Sequence, residues 1–306
     1  MSNSNGAGHR AAARRAVDSP SAMPPLEQVF RRKRILLTGA TGFLGKVFLE
    51  LLLRHHPEVD KVYLLVRGDR RSSLGRFRRE ILDSPALTPL HEQLGDRFER
   101  FVEDKLIIVP GDITNEGLLA PDAEPLERGT IDAVVHSAGL VNFEASLEKA
   151  IEVNTTGVAN VIEFCRRMGA ALLHVSTCYV AGAADGHRFE DDIPENWCPS
   201  GRRNFNLERE VKDALAAVAR VTAESRDQLR IAELHADAED DGGEIDSREH
   251  ALEHRRKQWV EERLKEVGKA RAKSWGWPNT YSYTKSLGEQ LVLAARKTIP
   301  ATVVRP

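Results

Sequence analysis

Six short apolar runs set the architecture of this chain: Ile35 to Leu37, Val62 to Val66, Leu106 to Val109, Ile131 to Val135, Ala171 to Val175 and Thr302 to Val304. Each is close to continuously apolar, so each reads as a strand covered on both faces, as a parallel sheet requires. Helical patterns such as Lys46 to Arg54 and Leu147 to Met168 lie between them. Strand alternating with helix implies right-handed crossovers, hence an α/β fold with a doubly wound parallel sheet of the Rossmann type. No internal repeat goes beyond this alternation.

The flanking segments break the rhythm. Residues 1–30 are rich in Ser, Ala, Pro and Gly, lack the apolar core of a secretory signal, and read as a disordered leader. Residues 200–275 read as an inserted helical hairpin, with charge-rich stretches over roughly Leu207 to Leu234 and Ser247 to Lys273. Their apolar faces are narrow, which suits packing on one another or on a partner better than building a core. The joining segment, Ala236 to Asp246, is acidic without the ordered spacing of a calcium loop, and reads as a solvated turn. The remainder, residues 31–306, forms one nucleotide-binding domain.

Composition narrows the function classes. Lys+Arg 44 against Asp+Glu 46 leaves a net charge of -2, without the basic footprint of a nucleic-acid binder. Cys165, Cys178 and Cys198 show no metal-ligand spacing, so neither a disulfide framework nor a metal site is expected, and a cytoplasmic setting is the default. The longest stretch free of Asp, Glu, Lys and Arg, Met168 to Ala184, holds His174, Ser176, Thr177 and two glycines and is no membrane span. Peripheral membrane contact and oligomeric state stay open.

The motif TGATGFLG, Thr38 to Gly45, follows the first strand and opens a helix, the context that makes a glycine pattern a dinucleotide fingerprint. Gly39 permits the tight turn, Gly42 lets backbone N–H groups approach a pyrophosphate, and Gly45 lets helix and sheet pack closely. Thr41, Phe43 and Leu44 belong to the same cofactor-facing loop. The second strand ends Val66-Arg67-Gly68, where an NAD site usually has a carboxylate. Arg67 can pair with a 2′-phosphate, so NADPH is expected, although Asp69 follows two residues later. Asp112 and Ile113 after the third strand suit the adenine, and Ala138 and Gly139 after the fourth let cofactor and sheet lie close. His136, without partners at ligand spacing, reads as a packed strand-end histidine rather than a metal ligand or general base.

A second signal pairs HVSTCYVAG, His174 to Gly182, with YSYTK, Tyr281 to Lys285. Residues four apart share a helix face, so Tyr281 and Lys285 converge. An unperturbed tyrosine pKa near 10 is high for proton exchange at neutral pH, and a nearby cation is expected to lower it. Thr177, at the end of the fifth strand, can orient a substrate carbonyl. Tyr283 stands only two residues from Lys285 and points elsewhere.

These residues resemble the extended short-chain dehydrogenase/reductases. VNF at Val141 to Phe143, EVNTTGVANVIEFC at Glu152 to Cys165, and HVSTCYVAG narrow the likeness to fatty acyl-CoA reductases and the related thioester-reductase and male-sterility proteins. The resemblance spans roughly Arg34 to Pro306 and is looser across the insertion. It implies a catalytic set of Thr177, Tyr281 and Lys285, with Asn154 supporting a proton-relay water. It also implies NADPH-dependent reduction of a long-chain fatty acyl-CoA to aldehyde and on to alcohol. The alternatives are an aldehyde-forming reductase of carrier-protein thioesters, a nucleotide-sugar epimerase or dehydratase, and a non-catalytic NADP-sensing module. Proteins of this family continue well past a final VVRP strand. The expectation is therefore that the C-terminal substrate domain is absent and that the chain binds NADPH but reduces acyl-CoA poorly.

Overall fold

A computed structural model of the chain describes residues 25–183, 186–190, 193–236 and 245–306. Most of the expected leader and the centre of the acidic turn lie outside the described residues. Leu26–Phe30, at the leader's end, is a helical turn, α1.

The six apolar runs form one sheet. Its strands are β1 (Arg34–Thr38), β2 (Lys61–Val66), β3 (Leu106–Pro110), β4 (Ala133–His136), β5 (Ala171–Val175) and β6 (Ala301–Val304). Their order is β3-β2-β1-β4-β5-β6, and every pairing is parallel. Strand order reverses between β1 and β4, so the crevice at their carboxyl ends is the place where an open α/β sheet binds its ligand.

Successive residues of each strand enter different cores. Leu36, Val134 and Leu172 pack under α7 (Gly157–Met168) and α11 (Thr280–Ala295). Ile35, Leu37, Val62 and Leu64 face α2 (Phe43–His55), α4 (Thr88–Leu94) and α5 (Phe98–Lys105). The apolar stripe of α7 is Val158, Val161, Ile162 and Cys165, one face of a helix, and the helix stops at Gly169 with φ of 72°. Before it, the stretch read as one helix from Leu147 divides: α6 (Leu147–Ile151) joins α7 through a π-helical turn, Glu152–Thr156. That turn brings the Asn154 carbonyl against Gly288 of α11, where a β-carbon would lie 2.1 Å from it. Only glycine fits there.

The insertion departs from a two-helix hairpin. It holds α8 (Leu207–Glu224), α9 (Gln228–Ala236) and the 31-residue α10 (Ile245–Trp275), the first stretch breaking at Ser225-Arg226-Asp227. Nor do its helices pack only on one another. Leu207 and Ala214 of α8 and Ala272 of α10 share a core with Leu147, Ile151, Tyr283 and Leu287. The apolar faces are narrow because their partners are helices α6 and α11, not a sheet. Among the described residues, no helix is long and apolar enough to cross a membrane.

Candidate active site and nucleotide cleft

The glycine loop fits a dinucleotide on backbone grounds alone. Gly39 has φ of +75°, and a β-carbon on it would lie 2.6 Å from Ala138 N; one on Gly45 would lie 2.2 Å from the Gly39 carbonyl. The absence of side chains there leaves a cleft of about 550 Å³, with Gly42 at the head of α2 on its floor. A helix N-terminus aimed into such a cleft suits a pyrophosphate. Thr41, Asp112, Ile113, Ala138 and Gly139 also line the cleft, as the motifs imply. Phe43 and Leu44 instead stand exposed on the first turn of α2.

Arg67 lines the same cleft and is exposed. Its competitors are committed elsewhere. Asp69 caps α3 (Arg70–Arg76), its Oδ1 accepting from Ser72 N–H at 2.8 Å and the Ser72 hydroxyl at 2.7 Å. Arg70 turns to Glu124 at 2.6 Å. Sequence reasoning misses a second guanidinium: Arg76, which lines the cleft and donates twice to Glu80 at 3.0 Å. Its only signal is a four-residue helical spacing to Glu80, which reads as a surface ion pair.

Next to Gly139 of the cleft wall, Thr177, Tyr281 and Lys285 come together, all buried. Asn279 caps α11, accepting from Ser282 N–H at 2.8 Å, and thereby fixes where Tyr281 and Lys285 begin their turn. Thr177 follows β5, and its hydroxyl interacts with the Tyr281 phenol. Lys285 donates to the Val175 carbonyl at 2.8 Å, and a β-carbon on Gly139 would lie 4.0 Å from its Nζ. Burial pulls the Lys285 ammonium down to about 8, against the opposing charge of Glu289. The Tyr281 phenol moves the opposite way from expectation. Burial raises it above 10 despite the Thr177 hydrogen bond, because the lysine is turned to Val175 rather than to the phenol.

Asn154 acts as a clamp in this structure. Its Oδ1 accepts from Leu140 N–H at 2.9 Å, and its Nδ2 donates to the Leu140 carbonyl at 3.1 Å and to Thr284 Oγ1 at 3.3 Å. It thus ties the loop after β4 to α11. Tyr283, set aside from sequence, does point elsewhere: its hydroxyl donates to Glu210, which Arg271 holds at 2.8 Å. His136 is packed at the end of β4, with Nδ1 2.7 Å from Thr38 Oγ1.

Comparisons with known proteins follow this geometry. A family model described as male sterility protein, an NAD-binding domain, matches residues 37–306. Fatty acyl-CoA reductase 1 of Arabidopsis thaliana is 31% identical over 287 residues, covering 91% of this chain and 52% of that protein. The alcohol-forming fatty acyl-CoA reductase of Simmondsia chinensis is 33% identical, covering 90% of this chain and 51% of that protein. The chain thus spans about half the length of the curated relatives it matches. Among solved structures, the terminal R domain of the myxalamid PKS-NRPS pathway aligns with a TM-score of 0.51 at 20% identity, over 90% of this chain and 49% of that one, a likeness of fold. By motif, fold and family match together, this chain belongs to the male sterility protein family of NAD-binding domains.

Proposed function

We propose that this chain is the catalytic nucleotide-binding portion of an NADPH-dependent fatty acyl-CoA reductase, taking a long-chain acyl thioester to aldehyde and then to alcohol. The observation that carries the reading is that Thr177, Tyr281 and Lys285 are buried together with Lys285 beside Gly139, which lines the cleft that also holds Arg67. The relatives' names agree with it.

The residues present fit NADPH: the glycine loop for the pyrophosphate, Arg67 for the 2′-phosphate, and Lys285 for the nicotinamide ribose. When bound, the cofactor supplies hydride to the thioester carbonyl carbon. Thr177 orients the carbonyl, and its hydroxyl together with the Tyr281 phenol faces the oxygen on which negative charge develops. Tyr281 donates the proton to that oxygen. A phenol raised by burial is fully protonated at neutral pH, the form a donor needs. The resulting hemithioacetal returns its hydroxyl proton to the Tyr281 phenolate as the C–S bond breaks, releasing aldehyde and CoA thiolate, a fair leaving group because thiol pKa values lie near 8.5. A second hydride and proton convert the aldehyde to alcohol. Lys285, protonated below about 8, holds the ribose hydroxyls and can return a proton to Tyr281.

The test is NADPH oxidation against a series of acyl-CoA lengths, with products identified. Two NADPH consumed for each CoA thiol released, with alcohol formed, is expected. One NADPH for each thiol, with aldehyde accumulating, overturns the alcohol-forming reading. Tyr281→Phe is expected to abolish turnover while retaining NADPH binding; full activity in that variant would remove Tyr281 from the mechanism.

A further inference from the structure

Two loops at the carboxyl edge of the sheet and the first turn of α11 set three aromatic rings in a row that ends in solvent. Phe143 meets the Tyr281 ring edge-on, with centroids 5.2 Å apart and planes at 85°. Tyr179 meets Phe143 in the same manner, at 6.0 Å and 84°. Exposure climbs along the row, from 6% at Tyr281 to 45% at Phe143 and 54% at Tyr179, with Val141 beside them at 75%. Single exposed apolar residues are ordinary, but a contiguous group touching a buried reactive phenol marks a binding surface.

The rings are held outward by structure. Asn154 fixes Leu140 from both its N–H and its carbonyl, and Asn142 Oδ1 accepts from Glu144 N–H at 2.9 Å. On the other loop, Thr177 Oγ1 accepts from Tyr179 N–H at 3.3 Å. Thr177 of the proposed reaction centre and the clamp Asn154 therefore also position the loops that carry the exposed rings.

Resting on the functional reading above, we propose that Val141, Phe143 and Tyr179 form the entrance of the acyl subsite, against which the alkyl chain of the thioester lies. When the thioester oxygen lies within reach of Tyr281 and Thr177, its carbonyl carbon carries two further substituents, sulfur and the first alkyl carbon. Phe143 walls one flank of the phenol, so the substituent leaving on that side runs along the ring row. The pantetheine arm, with its amides and phosphates, gains little from an aromatic wall. The alkyl chain gains roughly fourfold in affinity for each methylene taken out of water. The chain chemistry therefore selects the alkyl side.

Equilibrium binding of free CoA, butyryl-CoA and palmitoyl-CoA tests the assignment, comparing the unaltered chain with Phe143→Ala, Tyr179→Ala and Phe143→Leu. Leu229→Ala, an exposed residue on α9 away from the row, is the control. Palmitoyl-CoA affinity is expected to fall about tenfold in each alanine variant, the loss of one to two buried methylenes' worth of contact. Free CoA and NADPH affinities should hold, as should palmitoyl-CoA affinity in Phe143→Leu and Leu229→Ala. Retained NADPH binding shows that each variant is folded. Equal losses for CoA and palmitoyl-CoA, or unchanged palmitoyl-CoA affinity in both alanine variants, would overturn the subsite while leaving the reductase reading standing. So would a change in sedimentation with no change in affinity, since the row would then be a contact between copies. Failure of the unaltered chain to bind any acyl-CoA better than CoA would overturn the functional reading itself.

Discussion

His136 and His174 face one another across neighbouring strands as register partners, with ring centroids 5.2 Å apart and almost no exposure to solvent. Thr38 Oγ1 accepts from Ala138 N–H at 3.2 Å and shares a hydrogen bond with His136 Nδ1 at 2.7 Å. Burial first, and the Lys285 charge second, lower His136 to about 3 and His174 well below its usual range.

Those depressed values predict acid lability with a defined sign. Both imidazoles stay neutral in the fold but take protons in the unfolded chain below 6.5, so stability is intact above 6.5 and lost as pH falls toward about 3. Each ring costs up to about 1.4 kcal/mol per pH unit in that window. Urea midpoints measured on either side of 6.5 should fall more steeply for the unaltered chain than for His174→Leu. Parallel pH profiles for the two proteins would show that His174 takes up its proton without unfolding.

The contact between the insertion and α11 predicts a different signature. Glu210 of α8 is buried and accepts from Arg271 of α10 and Tyr283 of α11, two residues from Tyr281. Arg271→Met leaves that carboxylate buried without its cation, at a cost of about 3–5 kcal/mol. Removing both charges, as Glu210→Leu with Arg271→Met, should cost less than Arg271→Met alone. Denaturant unfolding of the unaltered chain, Glu210→Leu, Arg271→Met and the double variant checks this. A double variant as unstable as the sum of its parts would deny the coupling.

That brace also shows which parts of the molecule are legible in the sequence. A buried parallel strand needs apolar residues on both faces, so runs such as Val62 to Val66 announce themselves, and the glycines at 39, 42 and 45 declare a turn that only small residues can make. Tyr281 and Lys285 share one helix, so their spacing alone brings them together. Arg76 is hidden because its approach to the cleft depends on how the segment between β2 and β3 folds back. Asn154 is hidden in another way: its clamp on Leu140 crosses between elements. The insertion misleads because Leu207, Ala214 and Ala272 read as a narrow stripe, and nothing local says that Tyr283 and Leu287 cover it.

Cofactor choice should depend on Arg67 more than on Arg76. A guanidinium free to take the 2′-phosphate supplies a charged hydrogen bond worth roughly 1.5–3 kcal/mol. Arg67→Ala is expected to weaken NADPH at least tenfold more than NADH in a fluorescence titration. Arg76 already spends two donors on Glu80, so Arg76→Ala should show the smaller discrimination. Equal losses of both cofactors in Arg67→Ala would pass the role to Arg76.

Lys285 should trade stability for function, and pH separates the two. The charged and titratable groups facing its Nζ are neutral His136 and His174 and, on its own helix, Glu289, whose charge Arg305 takes up at 2.7 Å. The fold lowers Lys285 from 10.5 to about 8, so below 8 the charged lysine costs the fold about 3 kcal/mol, and that cost disappears as pH rises from 8 to 10.5. Lys285→Met should therefore raise the thermal midpoint at neutral pH, offset in part by the lost hydrogen bond to Val175. Cofactor binding is expected to carry the opposite sign, because in the proposed function the ammonium holds the ribose. NADPH affinity of the unaltered chain should fall as pH rises through about 8, and Lys285→Met should bind more weakly with no inflection there. An inflection that survives in Lys285→Met would assign the titration to another group.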